Sequence, residues 1–440
     1  MGHQRTLHPM PKGRSIILIT TSFPYGEGEP FLHLESEYLR RWFDRVVVVH
    51  QADGSKASIP RRTVLDGAEV VSADVRLTLW DRFIALGKLV TDADVRDELR
   101  TVRTVYGMRP GWGTIKTMLV SKAKAERLLP VLAQVAKAET ERGHEVWAYS
   151  YWCMEGALSA AMLVRTMPSI HVVTRAHAWD VYFERSSYGY LPFRKLILQQ
   201  VDAAFFISEN ARKYVLALLP GLLDPQRMVN ARLGIRTSDV STQFSRQYRS
   251  FRIVSCSYLI PIKRIERLIE AIALIDGFDV EWTHFGDGPL MQELLAKARK
   301  LLGDRPNIRY TFRGRVPNWE ILQYYAHHPV DVFMSVSRYD GIPVSIMEAM
   351  SFGIPAIATD VGGVGEIVRH GSTGILLADD PTPADVAHAI RTISVMGDEE
   401  LTEMRANARR MWGQYYNADV NYTHFCEALI CLQRPVASRV

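Results

Sequence analysis

Residues 337–363 read SRYDGIPVSIMEAMSFGIPAIATDVGG. The apolar run Val330–Met334 precedes them as a strand. Asp340 follows it, Gly341 permits a tight turn, and Pro343 suits the first turn of a helix reaching about Phe352. A helix that starts at the carboxyl end of a parallel strand presents free N–H groups where open α/β sheets hold their ligands. The backbone of Val344, Ser345, Ile346 and Met347 is therefore a candidate phosphate site. Asp340 on the loop and Glu348 in the helix place two carboxylates within reach of different hydroxyls of one elongated ligand. Singly, Asp340 reads as a helix cap and Glu348 as a surface acid; the Gly/Pro frame around both favours a ligand site.

Outward from this stretch, short aliphatic runs alternate with amphipathic ones along the whole chain, the pattern of parallel α/β architecture. Strands are predicted at Ser15–Thr20, Val46–His50, Val146–Tyr149, Ile170–Thr174 and Ala203–Ile207. A second series follows at Arg252–Ser257, Val280–Phe285, Ile308–Phe312, Val330–Met334, Ala356–Thr359 and Ile375–Leu377. Helical spacing predicts Phe31–Trp42, Glu209–Leu219, Arg264–Leu274 and Leu290–Leu302. The polar stretch Arg236–Ser250 divides the two series as a linker. Residues 1–236 and 237–410 then form two doubly wound, Rossmann-like domains, and 411–440 ends a long aromatic helical tail, from Glu399 to about Leu429, that packs back onto the first. At 440 residues the chain is too long for one core.

Composition excludes several classes. Hydrophobic residues at 47% and charged residues at 23% belong to a globular protein rather than a disordered or fibrous one. Cys153, Cys256, Cys426 and Cys431 offer neither a disulfide framework nor a CxxC pair, and no apolar run is long enough to span a bilayer. The expected location is cytoplasmic, with any membrane contact peripheral at the inner face. The net charge of +5 is uneven: residues 1–240 carry 32 Lys and Arg against 25 Asp and Glu. Much of the excess lies between Arg96 and Arg127. That segment is a solvated helix face or a surface for an anionic membrane, and it lacks the interleaved stacking aromatics of a nucleic-acid site.

Three further segments carry candidate chemistry. In Val254–Arg264 (VSCSYLIPIKR), Lys263 just after a strand end is placed to meet a phosphate as a point charge. In Val172–Asp180 (VVTRAHAWD), His177 ends a hydrophobic strand, with Arg175 and Asp180 as supports or Asp180 as a cap. In Thr21–Leu39 (TSFPYGEGEPFLHLESEYL), Gly26 and Gly28 allow close backbone approach, and Glu27 and Glu29 are candidate polar contacts. Phe285–Pro289 (FGDGP) and Phe312–Val316 (FRGRV) are turn-forming loops after strands.

Together these segments resemble glycosyltransferase family 4, whose donor signature is an acid, seven residues and a Glu inside a frame like EGxPxxxxEAMAxGxPVIxT. The spacing matches at Asp340 and Glu348, and the frame at Gly341, Pro343, Ala349, Met350, Gly353 and Pro355. The first acid is Asp rather than Glu. The resemblance implies a GT-B fold, two Rossmann-like domains facing across a cleft, and a retaining transfer of a hexose from a UDP- or GDP-sugar to a saccharide or lipid-linked saccharide, with no metal. By it, Glu348 holds the ribose, Asp340 the transferred sugar, and Lys263 the diphosphate, with Arg264 compensating for Tyr258 where the family has Arg. His177 orients the hexose. Gly286, Arg315 and Val316 line the nucleotide pocket, and Gly26, Glu27, Gly28, Glu29 and Arg175 belong to the acceptor side.

Other readings are a nucleotide-sugar epimerase of the same fold and a non-catalytic sugar-nucleotide sensor. Asp92-Ala93-Asp94 is formally a metal-binding DxD, but it lies in a polar helical region rather than after a strand. Gly363-Val364-Gly365 opens only a weak dinucleotide pattern, and neither half begins with GxGxxG.

Overall fold

A computed structural model describes residues 13–26, 28, 29, 31–52, 68–237 and 250–432. The chain divides into two compact units. One is Met1–Ile207 with Ala211–Ala231 and Tyr422–Val440; the other is Ser208–Asn210 with Arg232–Asn421.

The first unit holds strands β1 (Arg14–Thr20), β2 (Arg45–Ala52), β3 (Glu69–Asp74), β4 (Glu145–Ser150), β5 (His171–Ala176), β6 (Ala203–Phe206) and β7 (Met228–Asn230). They form one parallel sheet in the order β3-β2-β1-β4-β5-β6-β7. Its helices are α1 (Phe31–Trp42), α2 (Leu79–Thr91), α3 (Ala93–Thr104), α4 (Trp112–Glu141), α5 (Glu155–Leu163), α6 (Arg194–Gln200) and α7 (Glu209–Leu218). The central strands read as unbroken apolar runs because both faces are covered: Ile16 to Ile19 and Val46 to Val49 are all buried.

The second unit holds β8 (Ser250–Cys256), β9 (Asp279–Phe285), β10 (Ile308–Phe312), β11 (Val332–Ser335), β12 (Ala356–Thr359) and β13 (Gly374–Leu377), in the order β10-β9-β8-β11-β12-β13. Read from its first strand, this is the 3-2-1-4-5-6 order of dinucleotide-binding sheets. Helices α8 (Ile265–Ala273), α9 (Met291–Leu302), α10 (Asn318–His327), α11 (Val344–Ser351), α12 (Val364–Ile367), α13 (Pro383–Ser394), α14 (Asp398–Tyr415) and α15 (Ala418–Ile430) complete the chain. Its core has two parts: one cluster joins the sheet to α8, α9 and α13, and the other joins it to α10, α11 and α14.

All eleven predicted strands are present. The strands that sequence reading missed are β3, half-exposed at the sheet edge, and β7, three residues long. The tail is two helices rather than one: the chain breaks at Tyr416 and Asn417, where Ile235 exchanges hydrogen bonds with Tyr416 and Ala418. A Cβ on Gly234 would lie 2.5 Å from the Ala418 Cα, so glycine permits this approach. Most of the expected linker, 238–249, lies outside the described residues.

Candidate functional site

In the second unit, the sheet reverses winding between β8 and β11, and the loops after these strands flank the point where such sheets bind ligands. Lys263 ends the turn Pro261–Lys263 after β8, and Asp340 lies on the loop after β11. The Lys263 Nζ donates to Asp340 Oδ1 at 2.5 Å. Asp340 Oδ2 is buried and has no partner among the described residues. A backbone bond from Arg338 N–H to the Ile262 carbonyl at 2.8 Å fastens the two loops together. The glycines that end the quoted stretch buttress the Asp340 loop from behind. Gly363 N–H donates to the Gly341 carbonyl at 2.7 Å, and Gly362, at φ 56°, would bring a Cβ within 1.9 Å of the Asp340 carbonyl.

Helix α11 opens directly after this loop, with Pro343 as its N-cap. The N–H groups of Ile346 and Met347 turn back to the Pro343 carbonyl, while those of Val344 and Ser345 are outside that pairing. The first turn thus presents two N–H groups and the positive end of a short helix. The Ile346 and Met347 side chains are core residues, so of the four positions expected at a phosphate only Val344 and Ser345 keep available N–H groups. Glu348 is buried, and its Oε1 accepts from Asn318 Nδ2 at 2.7 Å. Burial pushes its carboxyl up to about 7, against the lowering effect of the Asn318 amide. A buried acid with one oxygen held and the other available suits a hydroxyl donor.

The neighbouring loops are tied to the same place. Gly286, at φ 135°, sits where a Cβ would lie 1.9 Å from the Ser257 carbonyl, and it pairs with Gly314. This joins the FGDGP and FRGRV segments, with Val316 packed on the core behind α11 and Arg315 exposed. Arg264 departs from expectation. It is a left-handed residue at φ 50°, and its guanidinium donates to the carbonyls of Val336, Ser337 and Asp379 and to Asp380 Oδ1. Arg264 is a clamp between loops and does not replace the missing arginine, since all its directed donors face protein oxygens. Tyr258 is exposed.

In the first unit, His177 follows β5. Its ring lies 4.6 Å from that of Tyr151 and 4.5 Å from that of Trp152, and neither ring nitrogen has a partner among the described residues. Burial, reinforced by the positive Arg175, holds its pKa well below the usual value. The imidazole is neutral and offers a hydrogen bond. Asp180 fixes the surrounding loops by accepting from His177 N–H at 2.5 Å and Cys153 N–H at 2.7 Å.

The expected acceptor residues divide. Glu29 is buried, and its carboxylate accepts from the Thr21 N–H and hydroxyl, the Ser22 and Phe23 N–H groups, and Trp152 Nε1. Its lone pairs are spent on closing the loop after β1, so it is not an acceptor contact. Gly28 packs against Ser22, where a Cβ would lie 2.5 Å from the hydroxyl oxygen, and Gly26 has φ 61°. Glu27 lies outside the described residues. Arg175 is also corrected: it is fully buried, paired with Glu35, and stacked 4.4 Å from the Phe425 ring centroid. No external ligand reaches it.

Comparison with known proteins follows this division. The family model of group 1 glycosyl transferases matches residues 250–394. The lipopolysaccharide outer core galactosyltransferase WaaB superposes with a TM-score of 0.68 at 15% identity, covering 94% of this chain and 99% of that one. Anabaena Alr3699/HepE in complex with UDP gives 0.64 at 18%, covering 95% and 100%. The fold is GT-B. In sequence, N-acetyl-alpha-D-glucosaminyl L-malate synthase of Bacillus anthracis is 26% identical over 242 residues, 53% of this chain and 60% of that protein. One subunit of the phosphatidylinositol N-acetylglucosaminyltransferase of Arabidopsis thaliana is 23% identical over 436 residues, 98% of this chain and 85% of that protein. The Streptomyces kanamyceticus alpha-D-kanosaminyltransferase is 31% identical over 153 residues, but the chain spans only 36% of its length.

Within this GT-B chain, sequence reading missed Asn318, Trp152 and the buttressing role of Gly362. Asn318 had a signal, since Pro317-Asn318 opens a helix. Trp152 had only its place just after a central strand. The Asp92–Asp94 pair is occupied by cations: Lys122 Nζ lies 3.3 Å from Asp92 and 2.5 Å from Asp94, and Arg165 grips Asp94 with two nitrogens. Among the described residues no cluster of acids, histidines and cysteines has the arrangement of a metal site.

Proposed function

We propose that this protein is a retaining glycosyltransferase that moves a hexose from a nucleotide diphosphate sugar to a saccharide or lipid-linked saccharide acceptor, in surface polysaccharide or glycoconjugate synthesis. The observation that supports it most is the joined set at one switch point: Lys263, Asp340 with a free buried oxygen, Glu348, and the open first turn of α11.

Breaking the bond between the anomeric carbon and the phosphate oxygen puts positive charge on the sugar and negative charge on the departing diphosphate. Lys263 and the Val344 and Ser345 N–H groups meet that negative charge, and preorganised donors of this kind are a leading source of rate acceleration. The carboxylate of Asp340 keeps the ammonium in place and offers Oδ2 to a sugar hydroxyl. Glu348 accepts from the ribose. The acceptor hydroxyl attacks from the face the diphosphate leaves and gives its proton to the departing phosphate oxygen, so the new glycosidic bond forms with retained configuration. His177 serves as a neutral hydrogen-bonding group toward the hexose. In this reading the leaving group is stabilised by protein cations and N–H groups, without a metal.

Lys263→Ala tests it: turnover with UDP- or GDP-sugars collapses while the protein remains folded, and undiminished transfer would refute the assignment. Incubation with donor alone separates transfer from epimerisation, since a transferase leaves the sugar unepimerised. A melting-temperature panel of UDP-, GDP- and ADP-sugars identifies the base, because preferential binding to the folded state raises the transition.

A further inference from the structure

Helix α2 is built inside out. It starts with a capping box in which Thr78 and Asp81 bond each other's backbone, so its placement in sequence is well defined. Asp81 and Lys88 turn toward α4: Asp81 accepts from Arg127 at 2.6 Å, and Lys88 pairs with Glu126. Ala85 is buried, but several larger apolar residues face outward. Leu79 is 83% exposed, Trp80 68% and Val90 74%, with Ile84 and Leu86 also exposed. At 3.6 residues per turn, Leu79, Leu86 and Val90 form one stripe on the side opposite Asp81 and Lys88. Water on that side favours the reverse arrangement, and contiguous apolar exposure of this kind marks a surface that meets something apolar.

Beside that stripe runs a cavity of about 860 Å³. Leu79 and Leu86 of α2 and Trp112, Leu119 and Val120 of α4 line it. Volumes of roughly 300–1,000 Å³ are those of small-molecule sites. The lining includes Lys116, Lys124 and Arg76 and no carboxylate. Arg76 is neutralised by Asp74 through paired bonds, which leaves the two lysines, one helical turn either side of Val120 on α4. The basic segment Arg96–Arg127 contributes in no other way as a uniform face: Lys122 is buried between Asp92 and Asp94, Arg127 holds Asp81, and Arg96 donates to the Val90 carbonyl.

We infer that the groove between α2 and α4 takes the hydrocarbon chain of a phosphate-bearing lipid, with Lys116 and Lys124 receiving the phosphate. An apolar channel with a purely basic rim is complementary to an anionic amphiphile, and the outward stripe of α2 then meets the lipid layer from which that chain comes. No described helix is long and apolar enough to cross a membrane. That the bound lipid carries the acceptor saccharide rests on the proposed transferase function; the lipid site itself does not.

Titration calorimetry of the whole chain with monomeric dioctanoyl phosphatidic acid, against glycerol 3-phosphate, tests the groove. Saturable binding of the first and none of the second is expected. Leu86→Glu, at an exposed position, weakens it about tenfold or more, and the double variant Lys116→Glu, Lys124→Glu weakens it comparably while keeping the melting temperature. The idea falls if dioctanoyl phosphatidic acid does not bind, if Leu86→Glu binds it unchanged, or if the stripe is covered by a second copy, seen as a dimer that Leu86→Glu dissociates without any lipid binding. Binding of UDP, GDP and ADP, measured on the same samples, reports the nucleotide site separately. Absence of binding to UDP, GDP and ADP alike would remove the transferase reading and leave the lipid result standing.

Discussion

The two units use one topological device to different ends. Each has a sheet whose winding reverses beside its first strand, and in each an acid stands on a loop at the carboxyl end. In the first unit that acid is Glu29, saturated by five donors from its own loop and from Trp152. In the second it is Asp340, held by Lys263 on one oxygen and open on the other. A saturated buried carboxylate shapes a loop; an unsaturated one beside a cation is poised for a ligand, because leaving it unmade costs stability that a ligand restores.

Four measurements can break or sharpen this contrast. The largest effect belongs to Lys263→Ala, where loss of the cation proposed to face the leaving diphosphate lowers kcat by about 10²–10³-fold; a change confined to KM would make Lys263 a uniform binding group. Glu29→Gln comes next. It sets an amide donor against donors already converging on the carboxylate, costing about 2–3 kcal/mol in denaturant unfolding, while UDP binding is retained. If UDP affinity fell instead, Glu29 would not be confined to its own loop.

The third concerns Glu348. Its carboxyl is raised from 4.5 to about 7, so the folded protein holds this proton more tightly than the unfolded chain, and its contribution to stability falls as pH rises between those values. A ribose hydroxyl prefers the ionised form. UDP affinity therefore strengthens as pH rises through about 7, and Glu348→Gln flattens both trends; a pH-independent wild-type affinity would remove Glu348 from the ribose. The smallest effect is that of EDTA, which leaves transfer unchanged if protein groups alone neutralise the diphosphate.

Much of the candidate site in the second unit was legible because it is local. Asp340, Gly341, Pro343 and Glu348 lie within nine consecutive residues, and a strand, turn and helix start fix their relation through backbone geometry alone. Partnership was not legible. Arg175 read as a support of His177 on the acceptor side and Arg264 as a stand-in for the arginine missing at Tyr258, yet one closes on Glu35 and the other on three carbonyls drawn from elements over 70 residues away. The strands that went unread were likewise those with the weakest local pattern, half-exposed β3 and three-residue β7.

The amino-acid sequence by itself determined two parallel α/β units, the order of nearly all their strands along the chain, and the stretch that builds the Asp340 loop and the helix after it, since periodicity and turn chemistry act over a few residues. Tertiary structure alone decided which charges are spent and which remain: Glu29, Arg175, Arg264 and Lys122 are consumed, whereas Lys263, Asp340 and Glu348 converge. It also turned α2 inside out, because the ion pairs to Arg127 and Glu126 that choose its inward face come from α4, more than thirty residues further along the chain.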